Sequence, residues 1–554
     1  MAVPGTNAVA PPGVSATDDQ LQMGARAGKP VQRSPAARVL LAAAVLLGVL
    51  VPVVLAVVTG GLSIPHNDAW SYSRIAQTFG LTGRIELLGW NRSALFGQFM
   101  VLGPLARWLV AQQVFVALLG IVALAAVYDL LVSSLGRARA AFAVLIVAIW
   151  PGFGLLATSF MPDVPAMAAM MICLAVGRRA LLSGSTWLLA VSTAFGLWGF
   201  TIREQALAAP AAVLLLAAVA AWRSRRKRDW IVLCVTGALF LLGALGFELW
   251  RQSYGAGDPP VLSVPSTLLQ LGGSVVVRGY FLLALGLVPA VLLVARPWRW
   301  GRWAILGSLA AFAVAVAAVL RFGVQGFFVG NYLDPAGPYW GAGNGRPATI
   351  FPPQLWMLIV AIACGSGVLL AGLVVRRLRY INPVLGVFLT LMVVGNVGSA
   401  LSGQNLFDRY WLLAMPPLLA VVLSERTAPG NSAFARVAER VPAVAALAGL
   451  AAVSLTVTAA GLAYDSARWD AGNRLVAMGI PAVDVNAGLE WNGYRSAVGM
   501  VPPGSWTFPG SSSCFIVTVV QRPERPEVMV LSYRPLIVAG TARLWVYDNG
   551  CSAP

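Results

Sequence analysis

The chain has 554 residues, of which 58% are hydrophobic and only 11% charged. Soluble globular chains carry about 25% charged residues. With apolar runs of membrane length recurring along the chain, this composition excludes a wholly soluble protein and indicates a polytopic membrane protein. The net charge of +18 is no signature of nucleic-acid binding, because the basic residues gather in short loops between apolar runs, where they act as orientation signals.

In chain order, residues 1–38 are rich in Ala, Gly and Pro and read as a disordered cytoplasmic tail ending in basic residues. Apolar runs then follow near 39–60, 111–135, 140–158, 164–177, 181–200, 205–222, 230–250, 279–295, 303–320, 354–375, 383–401, 410–423 and 441–462, about thirteen candidate spans. Arginine clusters at 137–139, 178–179, 223–228, 296–302, 376–379 and 426–440 fall on alternate loops. By the positive-inside rule these loops share the cytoplasm with the N-terminus. The opposite loops, including the long amphipathic 61–110, then lie outside the plasma (inner) membrane, together with the C-terminus. The region 39–462 is thus expected to be an all-α transmembrane bundle, and 463–554 a small extracytoplasmic α/β domain. In that domain Asp470 to Gly479 reads as a helix, and 515–520 and 543–547 read as strands.

Cys173, Cys234 and Cys364 lie in apolar runs and read as small buried residues. Cys514 and Cys551 lie in the external segment, where a disulfide between them is the expectation and two free thiols the alternative. No Cys/His cluster has zinc spacing.

Acidic residues are scarce, so their placement is informative. Asp68 follows the first apolar run in Pro65-His66-Asn67-Asp68-Ala69-Trp70-Ser71-Tyr72, and Asp163 sits in another short break, Met161-Pro162-Asp163-Val164-Pro165. Neither is needed to span a bilayer, and ionisable residues at such places default to function. Asp68 is the candidate general base; the alternative is a helix cap or a partner of Arg74. Asp163 is a second catalytic acid, an acceptor binder or a metal ligand, or the N-cap of the following helix. His66 is a metal ligand or a polar loop residue. Metal use is open, with His66, Asp68 and Asp163 as the candidate ligands.

These residues, in this order, resemble a known group. Asp68-Ala69-Trp70-Ser71-Tyr72 is similar to the Asp-Glu-x-x-Tyr motif of GT-C glycosyltransferases, in the branch of protein O-mannosyltransferases and lipid A aminoarabinose transferases. Asp163 resembles the second acidic position of that branch, Arg203-Glu204 an Arg-Glu pair, and Asp408-Arg409-Tyr410 with Met415-Pro416-Pro417 an Arg-Tyr…Pro pattern. The chain departs at Ala69, where the branch often carries Glu, so any task of that Glu is met otherwise.

The resemblance implies an inverting transfer of a sugar from a polyprenyl-phosphate donor to a glycan, glycolipid or protein acceptor at the outer membrane face. The leaving phosphate needs cations, for which Arg74, Arg92, Arg203 and Arg409 are the candidates. Tyr72, Glu204 and Tyr410 complete the expected substrate-binding set. A polytopic transporter or lipid flippase is the competing reading, but such proteins place their ionisable groups near the midplane, commonly with repeat symmetry, and neither is evident here.

Overall fold

A computed structural model describes residues 34–88, 96–254, 265–401, 406–424, 440–496, 508, 512–538 and 540–550. Helix α1 (Pro35–Thr59) carries one π turn at Leu46–Leu50, just ahead of Pro52. A π turn accommodates the missing donor and bulky ring of an interior proline. Next come the partly amphipathic α2 (Ala69–Thr82), then α3 (Leu109–Leu135) and α4 (Arg137–Ala148). They are followed by α5 (Asp163–Ser183), α6 (Thr186–Ile202), α7 (Ala208–Ser224) and α8 (Lys227–Gln252). The second half holds α9 (Pro265–Gly286), α10 (Val288–Val294), α11 (Arg302–Phe322), α12 (Pro353–Arg377) and α13 (Pro383–Leu401). It ends with α14 (Met415–Val422) and α15 (Val441–Ala477).

Among the described residues, nine helices are long and apolar enough to cross a membrane, and ten if the pair Ser274–Gly286 and Val288–Val294, bent by 67°, counts as one span. The protein is an integral, multi-pass membrane protein. The three remaining runs expected from the sequence are also helical but shorter. The run at 140–158 breaks after α4, where Pro151 is followed by Gly152 at φ +111°, and resumes as Phe153–Ala157. Helix α6 has 17 residues, and the run at 410–423 begins as the 3-10 segment Asp408–Ala414 before α14. Close approach at small residues holds the bundle: a Cβ on Gly196 would lie 2.6 Å from Pro210, and one on Gly177 2.5 Å from Val213, so α5, α6 and α7 meet at backbone distance.

Helix α15 has 37 residues, about 55 Å at 1.5 Å per residue, against a hydrocarbon core of about 30 Å. It therefore runs on beyond the membrane as one rod. The change of texture expected at 463 falls inside this helix. The helix read at Asp470 to Gly479 is the end of the same rod, which stops at Ala477, with Gly479 at φ +91° beyond it.

The rod leads to α16 (Leu489–Arg495) and a four-stranded sheet of order β1-β2-β4-β3, formed by β1 (Val485–Asn486), β2 (Phe515–Thr518), β3 (Glu527–Tyr533) and β4 (Ala542–Asp548). β2 and β4 are the two strands expected from sequence, and they pair antiparallel, with Phe515 opposite Asp548. The edge strand β3 alternates only weakly and was not legible. The loop before α12 is stitched to this sheet by Asn344, which donates to the carbonyls of Asn486 (3.0 Å) and Val517 (2.9 Å). Cys514 is disulfide-bonded, whereas Cys173, Cys234 and Cys364 are free. Cys551 lies outside the described residues.

Candidate active site

Asp68 sits at the turn into α2, behind Asn67 at φ +54°. Its own backbone is already helical and its side chain makes no capping hydrogen bond. The carboxylate instead accepts from Arg409 Nη2 at 2.9 Å. Arg74 does not pair with it: its Nη1 donates to the carbonyls of Gly493 and Ser496, both at 2.9 Å.

Asp163 is the first residue of α5, with Pro165 in the first turn. A carboxylate there is favoured by the helix dipole. Its Oδ1 accepts from Arg203 Nη1 and lies 3.8 Å from Arg409 Nε. Arg203 reaches it because the chain turns extended at the end of α6 (φ −155°). Glu204 starts the next turn and pairs elsewhere, with Arg251 at 3.0 Å. The Arg-Glu pair of the sequence therefore splits, and its arginine joins the site.

Asp68, Arg409, Asp163 and Arg203 form an alternating row of two carboxylates and two guanidiniums. Asp163, Arg203 and Arg409 are buried, while Asp68 keeps 21% of its side chain exposed. Buried charges persist when they are compensated in this way. The ring of Tyr410 lies against both guanidiniums, 4.6 Å from Arg203 and 5.3 Å from Arg409. Tyr72, one turn along α2 from Asp68, is buried and is an electrostatic neighbour of Arg203.

Asp408, which precedes Arg409 in the Asp408-Arg409-Tyr410 pattern, has a different task. Its carboxylate accepts three backbone N–H groups, of Tyr332, Leu333 and Arg409, each at 2.8 Å. It thereby sets both the loop carrying Tyr332 and the start of the Arg409 segment. Tyr332 is fully buried and has Arg409, Asp163, Asp408 and Asp68 as its electrostatic neighbours. Burial pushes its phenol upward, so it is a neutral hydroxyl at physiological pH. In the sequence Tyr332 is one of several aromatics outside the apolar runs, open to stacking on sugar or prenyl chain or to a place in an interfacial belt.

Four buried polar atoms of this cluster have no hydrogen-bond partner: Asp163 Oδ2, Arg409 Nε and Nη1, and the Tyr332 hydroxyl. Buried polar groups are normally satisfied, so a polar ligand entering here would meet free donors and acceptors on Asp163, Arg409 and Tyr332. The donor set does not suit a divalent cation, because a guanidinium stands between the two carboxylates. His66 is also turned away: Nδ1 meets Asp465 Oδ2 at 2.7 Å and Nε2 meets the Gly61 carbonyl at 2.9 Å. Among the described residues no group of three or more His, Cys, Asp or Glu is placed to hold a metal ion. Arg92 lies outside the described residues.

Residues 103–245 match the family model of dolichyl-phosphate-mannose-protein mannosyltransferases. The match supports a GT-C superfamily membrane glycosyltransferase. The segment that matches this GT-C model includes Asp163, Arg203 and Glu204. Asp68 and Arg409 lie outside it, and the fold brings them to the same place. Among solved structures, the chain is similar to a crystal structure of ArnT from Cupriavidus metallidurans bound to undecaprenyl phosphate, with 15% identity and a TM-score of 0.40 over 92% of this chain and 98% of that one. It is also similar to the apo form of the same protein, with 14% identity and a TM-score of 0.38 over 90% and 97%. No curated protein matches the chain.

Proposed function

We propose that this glycosyltransferase moves a sugar from a polyprenyl-phosphate donor to an acceptor hydroxyl at the outer face of the inner membrane, with inversion at the anomeric carbon. The observation that carries this reading is the row Asp68–Arg409–Asp163–Arg203 with its four unpartnered polar atoms. Asp68 is the most exposed of the two carboxylates and accepts the proton of the acceptor hydroxyl as its oxygen attacks the anomeric carbon. The bond from that carbon to the phosphate oxygen breaks, and its electron pair leaves with the phosphate.

Arg409 holds Asp68 through Nη2, keeps Nε beside Asp163 and offers Nη1 to the departing phosphate. A guanidinium presents its donors in a fixed fork, so one side chain sets the base and the leaving group apart on either side of the sugar. Arg203 holds Asp163, whose Oδ2 and the neighbouring Tyr332 hydroxyl are the groups offered to the sugar hydroxyls. Arg74, tied to two carbonyls, leaves the proposed phosphate set.

The experiment is turnover in detergent. Purified protein given polyprenyl-phosphate mannose or polyprenyl-phosphate arabinose, with a mixed glycan and glycolipid acceptor preparation from its own membranes, should release polyprenyl phosphate. Absence of release from either donor, combined with uptake in sealed vesicles, would make it a transporter. The orientation rests on the alternating arginine loops. Lys227→Cys should be shielded from an impermeant thiol reagent in intact cells and Met500→Cys labelled; labelling of both from the same side overturns the orientation.

A further inference from the structure

We infer that residues 464–496 are the positioning element of Asp68, gripping the chain on both sides of that carboxylate, an inference that rests on Asp68 being the base. Two residues before it, His66 is fully buried. The Gly61 carbonyl can only accept, so His66 Nε2 carries a hydrogen, while Nδ1 faces Asp465. Tyr339 stacks on the ring at 5.6 Å. The imidazole is thus fixed at both nitrogens and on one face.

Asp465 is itself fixed. Arg468, one turn along α15, bonds both Asp465 and Glu490, and donates through Nη1 to the Ala487 carbonyl at 2.9 Å. His66, Asp465, Arg468 and Glu490 all have zero exposure. Charges so deeply buried hold one geometry, because moving any of them leaves another uncompensated.

Two residues after Asp68, Trp70 is fully buried against α16, so close that a Cβ on Gly493 would lie 2.4 Å from its ring. One turn further on, Arg74 donates to the Gly493 and Ser496 carbonyls, which lie at the C-terminal end of α16, where carbonyls lack helical partners. Tyr494 donates to Gln77 Oε1 at 2.9 Å. Helix α2 is therefore docked along α16. Asp163, Arg203 and Arg409 stand on other elements, α5, α6 and the segment before α14. Gln113 and Ser159 also hold the carbonyls of Ile64 and His66, and the far end of the chain adds the grip on both sides of Asp68.

Misplacement of a reacting group by about 1 Å can cost about 10²-fold in rate. His66→Ala and Gly493→Ala each disturb one side of the grip. The second is otherwise mild, since Ala favours a helix over Gly. Both should lower kcat by about 10²-fold with donor KM near that of the parent, and His66→Asn, whose amide reaches Asp465 in place of Nδ1, should recover part of the loss. Arg474→Ala, which removes an exposed pair with Asp470 in the same segment, should leave kcat unchanged.

Hydrogen exchange supplies a readout independent of turnover. Amides of 66–74 should lose protection in His66→Ala and Gly493→Ala, while those of 163–170 keep it. Parent-like kcat in both folded variants, an equal loss in Arg474→Ala, or protection lost evenly over the bundle would overturn the inference. A parent protein that turns over no donor defeats the proposed function instead, and the exchange arm still decides whether the grip exists.

Discussion

Asp68→Asn lowers turnover by about 10²–10⁴-fold, the usual contribution of a positioned general base. Asparagine keeps the shape and can still accept from Arg409, but it cannot take a proton. The substitution also removes one negative charge from a row that now balances two against two. That electrostatic cost is moderated by solvent, since Asp68 retains 21% side-chain exposure. The variant should therefore fold and bind donor. Single-turnover release of polyprenyl phosphate, run beside thermal unfolding in detergent, separates the two effects. Near-parental turnover in folded protein removes Asp68 from the chemistry.

Arg409→Ala has the larger structural consequence. The side chain is 4% exposed and stands between two carboxylates. Deleting one partner of a buried ion pair costs about 3–5 kcal/mol, because the other charge is left uncompensated. Asp163 keeps Arg203, so the loss falls mainly on Asp68 and on whatever anion the site receives. A lowered unfolding temperature together with lost donor binding is the expected result. Arg409→Lys keeps the charge but has no planar fork. It should fold more nearly like the parent, with weakened donor affinity and acceptor affinity little changed. Parental donor affinity in Arg409→Lys and in the folded fraction of Arg409→Ala would place the phosphate elsewhere.

The helical bundle was legible because membrane spans are written in composition, and every expected run is at least partly helical. Asp68, Asp163 and Arg409 stood out because charged residues are rare beside apolar runs. Their partners did not. Arg203 and Glu204 are neighbours in sequence, yet an extended residue at the end of α6 sends them to Asp163 and Arg251. Arg74 stood among the few outer-side arginines available to a phosphate, but its Nη1 donates to the Gly493 and Ser496 carbonyls at the end of α16. Tyr332 lies in an irregular loop whose course is set by backbone donation to Asp408, which no periodicity reveals. The His66–Asp465 contact joins residues 399 apart, beyond any local pattern.

That separation bears on how the protein is made. Synthesis at about 5–20 residues per second puts roughly 20–80 s between the appearance of His66 and that of Asp465, 399 residues later. Arg409 follows Asp68 by 341 residues. Through most of translation the first carboxylate thus has neither its guanidinium nor its anchor, and the reaction centre assembles as the last quarter of the chain arrives. A nascent chain halted before α15 would carry all four charged residues of the row but not Asp465, Arg468 and Glu490, so the grip on the segment around Asp68 waits for the rod to be made.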